Sequence, residues 1–170
     1  KVVICSTPRN ARSLMVAAIR DPDPVVFFEP KHSYRAFREE VPDEEEVWPI
    51  GKAHVARQGT RVTVVAWGAM LHRIESAIEA ADAKYGAGTV ELIDLLTISP
   101  MDTETIVQSV KKTRRCIIVQ EAPRSFSVAS EIVAVLNDEC LEYLEAPVKR
   151  VTGFDVVTPY FAREQGYIPR

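Results

Sequence analysis

The chain has 170 residues, 46% hydrophobic and 26% charged, with a net charge of −3 and a pI near 5.7, which is the composition of a packed globular protein. It carries no global basic footprint for nucleic acid, and no apolar run approaches the length that spans a bilayer. Cys5, Cys116 and Cys140 sit among apolar neighbours and read as free, buried thiols of a reducing compartment, not as a disulfide frame.

Val2–Cys5 is a short buried-strand run. Ser6-Thr7-Pro8 then supplies an N-cap and a first-turn proline, and Leu14, Ala17 and Ala18 share one face of the helix that follows. Pro22 disfavours helical geometry at Asp21, so this helix stops near Arg20. Val25–Phe28 is apolar on both faces, as in a covered parallel sheet, and completes a βαβ unit over residues 2–28. The opening at Lys1, inside a strand and without a lead-in or signal peptide, reads as a cut from a longer protein.

Residues 30–60 are interrupted by Pro30, Pro42 and Pro49 and carry the acidic run Asp43-Glu44-Glu45-Glu46, expected to be a solvated linker. From Thr60 the α/β rhythm returns. Val62–Trp67 is a strand, and one long helix follows with Met70, Leu71, Ile74, Ile78, Ala81 and Tyr85 on one side, ended by Gly86 and Gly88. Val90–Leu95 is the next strand. Ser99-Pro100-Met101-Asp102 leads into a helix bearing Ile106, Val107 and Val110, with Lys111 and Lys112 in its last turn. Cys116–Gln120 is a strand, Ala129, Ile132, Val133 and Leu136 mark a helix, and Val148–Val151 is a last strand before a Pro- and aromatic-rich tail. The alternation predicts a mostly parallel sheet with helices on both faces.

Ligands of such sheets sit beyond the carboxyl ends of the strands, where this chain has Glu29, Gly68, Asp94 and Glu121. Glu121, after "CIIVQ", faces either a crevice or a partner, or it caps a helix N-terminus. No phosphate-binding loop is present, since "GAG" at 86–88 follows a helix; His32, His54 and His72 lack metal spacing; Ser125 and Ser127 lack a nucleophile elbow. The "RDPDP" turn at 20–24 admits two readings. It is a proline-stiffened helix stop, or its carbonyls and the carboxylates of Asp21 and Asp23 form a hard-oxygen cation site.

Specific phrases then accumulate in order: "IRDPDPVVFFEPK", "YRAFREEVP", "VTVVAWGAMLH", "ELIDLLTISPMD", "SVKKTRR", "EAP", "ASEI" and "LEAPVKRVTGFDVVTPYF", ending near "YIP". Together they resemble the C-terminal portion of the β-subunit of thiamine-diphosphate-dependent 2-oxo acid dehydrogenases. "FFEPK" and "QEAP" lean toward the branched-chain type; "PIGKAHVARQGT" resembles the pyruvate type.

The resemblance implies a three-layer α/β/α transketolase C-terminal-like domain at 61–170. It is preceded by a linker at 31–60 and by the last βαβ of a pyrimidine-binding domain at 1–30. It further implies oxidative decarboxylation with acyl transfer to lipoamide, thiamine diphosphate and Mg²⁺ held mainly outside this chain, and catalytic residues lying upstream. The implied partners are an α-subunit and a second β-subunit (α2β2) and a lipoyl acyltransferase core, in the cytoplasm or, in a eukaryote, the mitochondrial matrix. A structural K⁺ is implied at the Ala18 carbonyl, Asp21 and Asp23, where the family often has Asn at the position of Asp23. Glu145, in "LEAP", and Glu121 are the implied partner contacts, and Arg124-Ser125-Phe126-Ser127 departs from the Gly-Gly step common in relatives. A transketolase-like portion and a non-catalytic α/β interaction module are the competing readings.

Overall fold

The computed structural model describes residues 1–160 and 163–167; the remaining residues of the expected domain, 161–162 and 168–170, lie outside the described residues. β1 (Val2–Ile4) leads into helix α1 (Pro8–Arg20) and then β2 (Val26–Phe28), which pairs with β1 in parallel. Thr7 caps α1 in a reciprocal box with Asn10, whose side chain accepts from the backbone N–H groups of Ser6 and Thr7. Asp21 ends the helix in extended geometry, as Pro22 requires.

The stretch after β2 is an ordered strap. A short 3₁₀ turn at Lys31–Ser33 is followed by chain that runs back along α1. Arg9 pairs with Glu46, Arg20 holds Glu45 through two bonds of 2.7 and 2.8 Å, and Arg12 reaches the carbonyls of Pro42 and Asp43. The acidic run expected to be solvated is therefore the counterpart of an arginine-bearing helix face, at the surface. The spacing of the arginines along α1 is legible in the sequence, but their partners lie 25 to 37 residues away. The strap ends before β3 (His54–Arg57), an edge strand antiparallel to β5 within the segment read as linker.

β4 (Val62–Ala66) then starts the main sheet. The long helix expected after it is broken: α2 (Met70–Arg73) stops at Ile74 (φ −92°, ψ −5°), and α3 (Glu75–Tyr85) continues in a new direction. Leu71 and Ile78 pack in one cluster against the same face of the sheet. β5 (Val90–Asp94) follows, and directly after it β6 (Thr97–Ser99) leaves the main sheet to pair antiparallel with β1. α4 (Thr103–Thr113), β7 (Cys116–Pro123), α5 (Val128–Cys140), β8 (Lys149–Gly153) and α6 (Glu164–Tyr167) complete the order.

Two sheets result, ordered β2-β1-β6 and β3-β5-β4-β7-β8, and in the second every pairing except β3 with β5 is parallel. Strand periodicity divides the core. Val65, Ile93 and Ile118 face α4 and α5, with Ile106, Val110, Ile132 and Leu136 against them. Val64, Leu92 and Val119 face α2 and α3. This is the mostly parallel α/β/α sandwich that the alternation of elements predicts. All three cysteines are free and buried, and burial pushes the thiols of Cys5 and Cys116 up to about 11 and about 12, so neither is a nucleophile at neutral pH.

Candidate functional site

The strongest convergence of polar groups lies where the N-terminal βαβ unit meets the main sheet. Asp94, the last residue of β5, is completely buried. Ser6 Oγ donates to it at 2.7 Å, Asn10 Nδ2 donates at 3.3 Å, and the backbone N–H of Leu96 is a third donor. Ser6 Oγ also accepts from the Gly68 N–H at 2.8 Å, and the Ser6 carbonyl accepts from His72 Nε2 at 2.9 Å. One serine thus joins the ends of β1, β4 and β5. Burial raises the Asp94 carboxyl to about 7, against the three donors, which favour the ionised form.

Asp94 borders a cavity of about 670 Å³ beneath the strap, with Arg9, Asn10, Ser13, Trp48 and His54 among its walls. His54 is edge-on to Trp48, with ring centroids 5.1 Å apart. Burial and then the nearby Arg9 lower the His54 pKa, so the imidazole is neutral at physiological pH. A buried proton-bearing carboxyl and a neutral imidazole bordering one cavity are the elements of acid–base chemistry. Among the described residues, no group of three or more His, Cys, Asp or Glu side chains is arranged to hold a metal ion.

The sequence-derived candidates fall elsewhere and do not converge. Asp21 caps α1, and the Lys1 ammonium lies 2.8 Å from both of its oxygens and 3.2 Å from Asp23. Asp21 also accepts from the Asp23 N–H at 2.9 Å, and the Lys1 contact, followed by this bond, holds its carboxyl below the usual range. The carboxylates of the turn to which the resemblance assigns a K⁺ are thus engaged by an ammonium from the chain itself. Glu145 bridges Arg114 and Arg115 at 3.3 and 2.5 Å, which makes it an internally paired rim carboxylate. Glu121 is exposed at the carboxyl end of β7, beside a second cavity.

Sequence reasoning placed Asp94 at a strand end but did not join it to Ser6, Asn10 and His72. Two signals were available. Asp94 is a carboxylate closing a strand that is buried throughout, and Asn10, whose Oδ1 completes the capping box with Thr7, has its Nδ2 donor to spare.

The fold and this junction define a parallel α/β domain clasped to a preceding βαβ unit. The chain belongs to the transketolase C-terminal domain family, whose model matches residues 51–168. It is 48% identical, over all of its length and 51% of the relative's, to pyruvate dehydrogenase E1 component subunit beta of Acholeplasma laidlawii. It is 46% identical to 2-oxoisovalerate dehydrogenase subunit beta, mitochondrial, of Dictyostelium discoideum, over 99% of this chain and 45% of the relative. The chain thus spans about half the length of the curated relatives it matches. Among solved structures, a split-gene transketolase described as an inactive beta4 tetramer matches 98% of this chain and 52% of that one, with a TM-score of 0.75 and 22% identity, a likeness of fold. No helix of the described residues is long and apolar enough to cross a membrane.

Proposed function

We propose that this chain is part of the β-subunit of a thiamine-diphosphate-dependent 2-oxo acid dehydrogenase of the branched-chain type. The observation that carries the family reading is the alignment of 99% or more of the chain with β-subunits of one pyruvate and one 2-oxoisovalerate dehydrogenase at 46 to 48% identity. "FFEPK" and "QEAP" favour the branched-chain substrate, and the 48% identity to a pyruvate-type subunit supports pyruvate as the second reading. Residues 1–30 then close a pyrimidine-binding domain, 31–60 connect, and 61–170 form the C-terminal domain. The partners are an α-subunit, a second β-subunit and a lipoyl acyltransferase core.

Thiamine diphosphate, with its Mg²⁺, supplies the electron sink for decarboxylation in the assembled enzyme. This chain's residues contribute rigidity: the Ser6–Asp94–Asn10 junction fixes the N-terminal unit against the C-terminal sheet. Glu121 and Glu145 are the carboxylates offered to a basic partner, and Glu145 exchanges Arg114 and Arg115 for it on docking.

Co-expression of the full-length gene with its α-subunit is expected to give lipoamide acylation that neither subunit shows alone. The kcat/KM for 2-oxoisovalerate should exceed that for pyruvate by about 10-fold or more, the discrimination that added methyl groups allow. The inverse ratio would establish the pyruvate reading, and absence of acylation with both acids would overturn the proposal.

At the Asp21–Pro24 turn the structural cation is read as K⁺ sharing its oxygens with Lys1. Replacing Na⁺ by K⁺ is expected to raise the Tm of the full-length protein by less than about 2 °C, and by more in Lys1→Met, where the ammonium is gone. A Tm indifferent to K⁺ in both proteins would remove the metal from this site.

A further inference from the structure

The cavity beside Asp94 has two kinds of wall. One is packed structure: Asn10, Ser13 and Asp94 are buried side chains, with Leu71 and Leu96 beside them. The other is the strap, which contributes Glu39, Glu46, Val47 and Trp48. None of residues 38–47 is buried. Among the described residues, none of these takes part in a backbone–backbone hydrogen bond. A segment with neither apolar burial nor backbone pairing belongs to the least stable part of a fold, the part that opens first.

What holds this stretch is charge. Glu39 Oε2 accepts the Arg9 backbone N–H at 2.9 Å, Arg9 Nε donates to Glu46 at 2.8 Å, and Arg20 grips Glu45 at 2.7 and 2.8 Å. Arg12 reaches the carbonyls of Pro42 and Asp43. Every one of these attachments is to α1, and the paired side chains are 39% to 58% exposed. Exposed pairs are individually weak, and salt screens them as the Debye length falls from about 10 Å at 0.1 M to about 3 Å at 1 M. The two ends are fixed differently. Phe37 packs on His72 with ring centroids 3.9 Å apart. At the other end the Trp48 backbone N–H donates to the Ser13 carbonyl at 3.3 Å and its indole N–H to the Lys52 carbonyl at 2.9 Å. The Trp48 ring packs with Cys5, Leu14 and Leu96. Salt does not weaken apolar packing, so the ends stay in place under conditions that loosen the middle.

We propose that residues 38–47 are an electrostatically latched lid, hinged at Phe37 and Trp48, which leaves α1 when its arginine contacts are screened or removed and so opens the cavity at Asn10, Ser13 and Asp94 to small solutes. The latch is written in the contacts between the strap and α1 and is independent of the substrate reading above.

The test is thiol trapping, resolved by peptide mass spectrometry, of Ser13→Cys in the full-length protein in its native assembly. Ser13 is 4% exposed and lines the cavity, so a small uncharged reagent, iodoacetamide, reaches the introduced thiol only through an open lid. Raising NaCl from 0.05 to 0.5 M is expected to speed its alkylation by about 10-fold, the combined margin of several exposed pairs. Alkylation of Cys116, in the core against α4 and α5, should stay unchanged. Glu45→Gln with Glu46→Gln should bring most of that acceleration already at 0.05 M NaCl. A second measurement needs no substitution: the Arg9 N–H has Glu39 as its acceptor, so its hydrogen exchange should quicken over the same salt range while that of Leu14, inside the same helix, does not. Exchange at Arg9 indifferent to salt, alkylation of the introduced thiol indifferent to salt and to the Glu45 and Glu46 substitutions, or an equal acceleration at Cys116 would overturn the proposal.

Discussion

Asp94→Ala is expected to destabilise the protein by about 3–5 kcal/mol, the scale of removing one partner from a buried hydrogen-bonded charge network. The substitution strands three donors, from Ser6, Asn10 and Leu96, in a completely buried position. It also removes the acceptor that steadies Leu96, a fully buried residue held at φ 52° where the chain turns from β5 toward β6. The loss should be concentrated at the junction, so hydrogen exchange at Ile4, Leu96 and Gly68 should quicken before exchange in the α4–α5 core does. Equal acceleration in both regions would argue against a distinct clasp.

The same residue sets a pH dependence whose sign follows from linkage. Its folded-state carboxyl, near 7, lies above the ordinary value of 3.8, so the folded chain holds a proton that the unfolded chain has released between those values. Stability from this group is therefore full below about pH 4 and is lost as pH rises toward 7, at up to about 1.4 kcal/mol per unit. Asp94→Asn keeps the volume and removes the titration. Denaturant unfolding at pH 5 and pH 7 should show a decline in the parent that exceeds the decline in Asp94→Asn by about 2 kcal/mol. Identical declines would mean that the burial of Asp94 has no thermodynamic consequence.

The second large effect is expected at Gly59. A Cβ there would lie 2.2 Å from the carbonyl carbon of Val90 and 2.2 Å from the Glu91 nitrogen, against backbone that cannot swing aside. Gly59 also donates its N–H to Glu91 Oε2 at 3.2 Å, in a cluster where Lys112 pairs with the same carboxylate. Burial works to raise the Glu91 carboxyl, but Lys112, Ser109 and the Gly59 N–H together hold it below the usual range. Gly59→Ala must push the β3–β4 connection off β5, and the expected loss is about 2–3 kcal/mol, read as a lower urea midpoint at unchanged slope. A midpoint within error of the parent would show that the connection yields freely.

These two positions differ in how visible they are before folding. Asp94 stands out as a charge at the end of "VELID", and its strand-end location was readable from the α/β alternation. Gly59 was invisible, because a glycine in "RQGT" reads equally as a loop residue, and its close approach to Val90 and Glu91 is a contact over more than thirty residues. The acidic strap was noticed for its charge but not for its partners. Arg9, Arg12 and Arg20 are exposed helix residues whose pairing depends on where residues 39–46 are led by the strands on either side. Glu145 was legible as part of "LEAP", but its engagement by Arg114 and Arg115 required α4 to end with Arg114 in the left-handed conformation. β1 and β2 are as short as β3 and β6 but declare themselves by the continuous apolar runs VVI and VFF, whereas HVAR and TIS mix apolar with polar residues over too few positions to show a period.

The sequence by itself determined the order of the main elements, the mostly parallel sheet with its two-sided core, the burial of the thiols and the resemblance to 2-oxo acid dehydrogenase β-subunits. Those are set by local periodicity, capping and proline stops, which act within a turn or a strand. Tertiary structure alone decided that β6 crosses to β1, that Ser6, Asn10 and Asp94 meet, and that Lys1 sits on the Asp21–Asp23 turn. Each of those is a contact between residues distant in the chain, and its energy arises only when packing removes water from both partners at once.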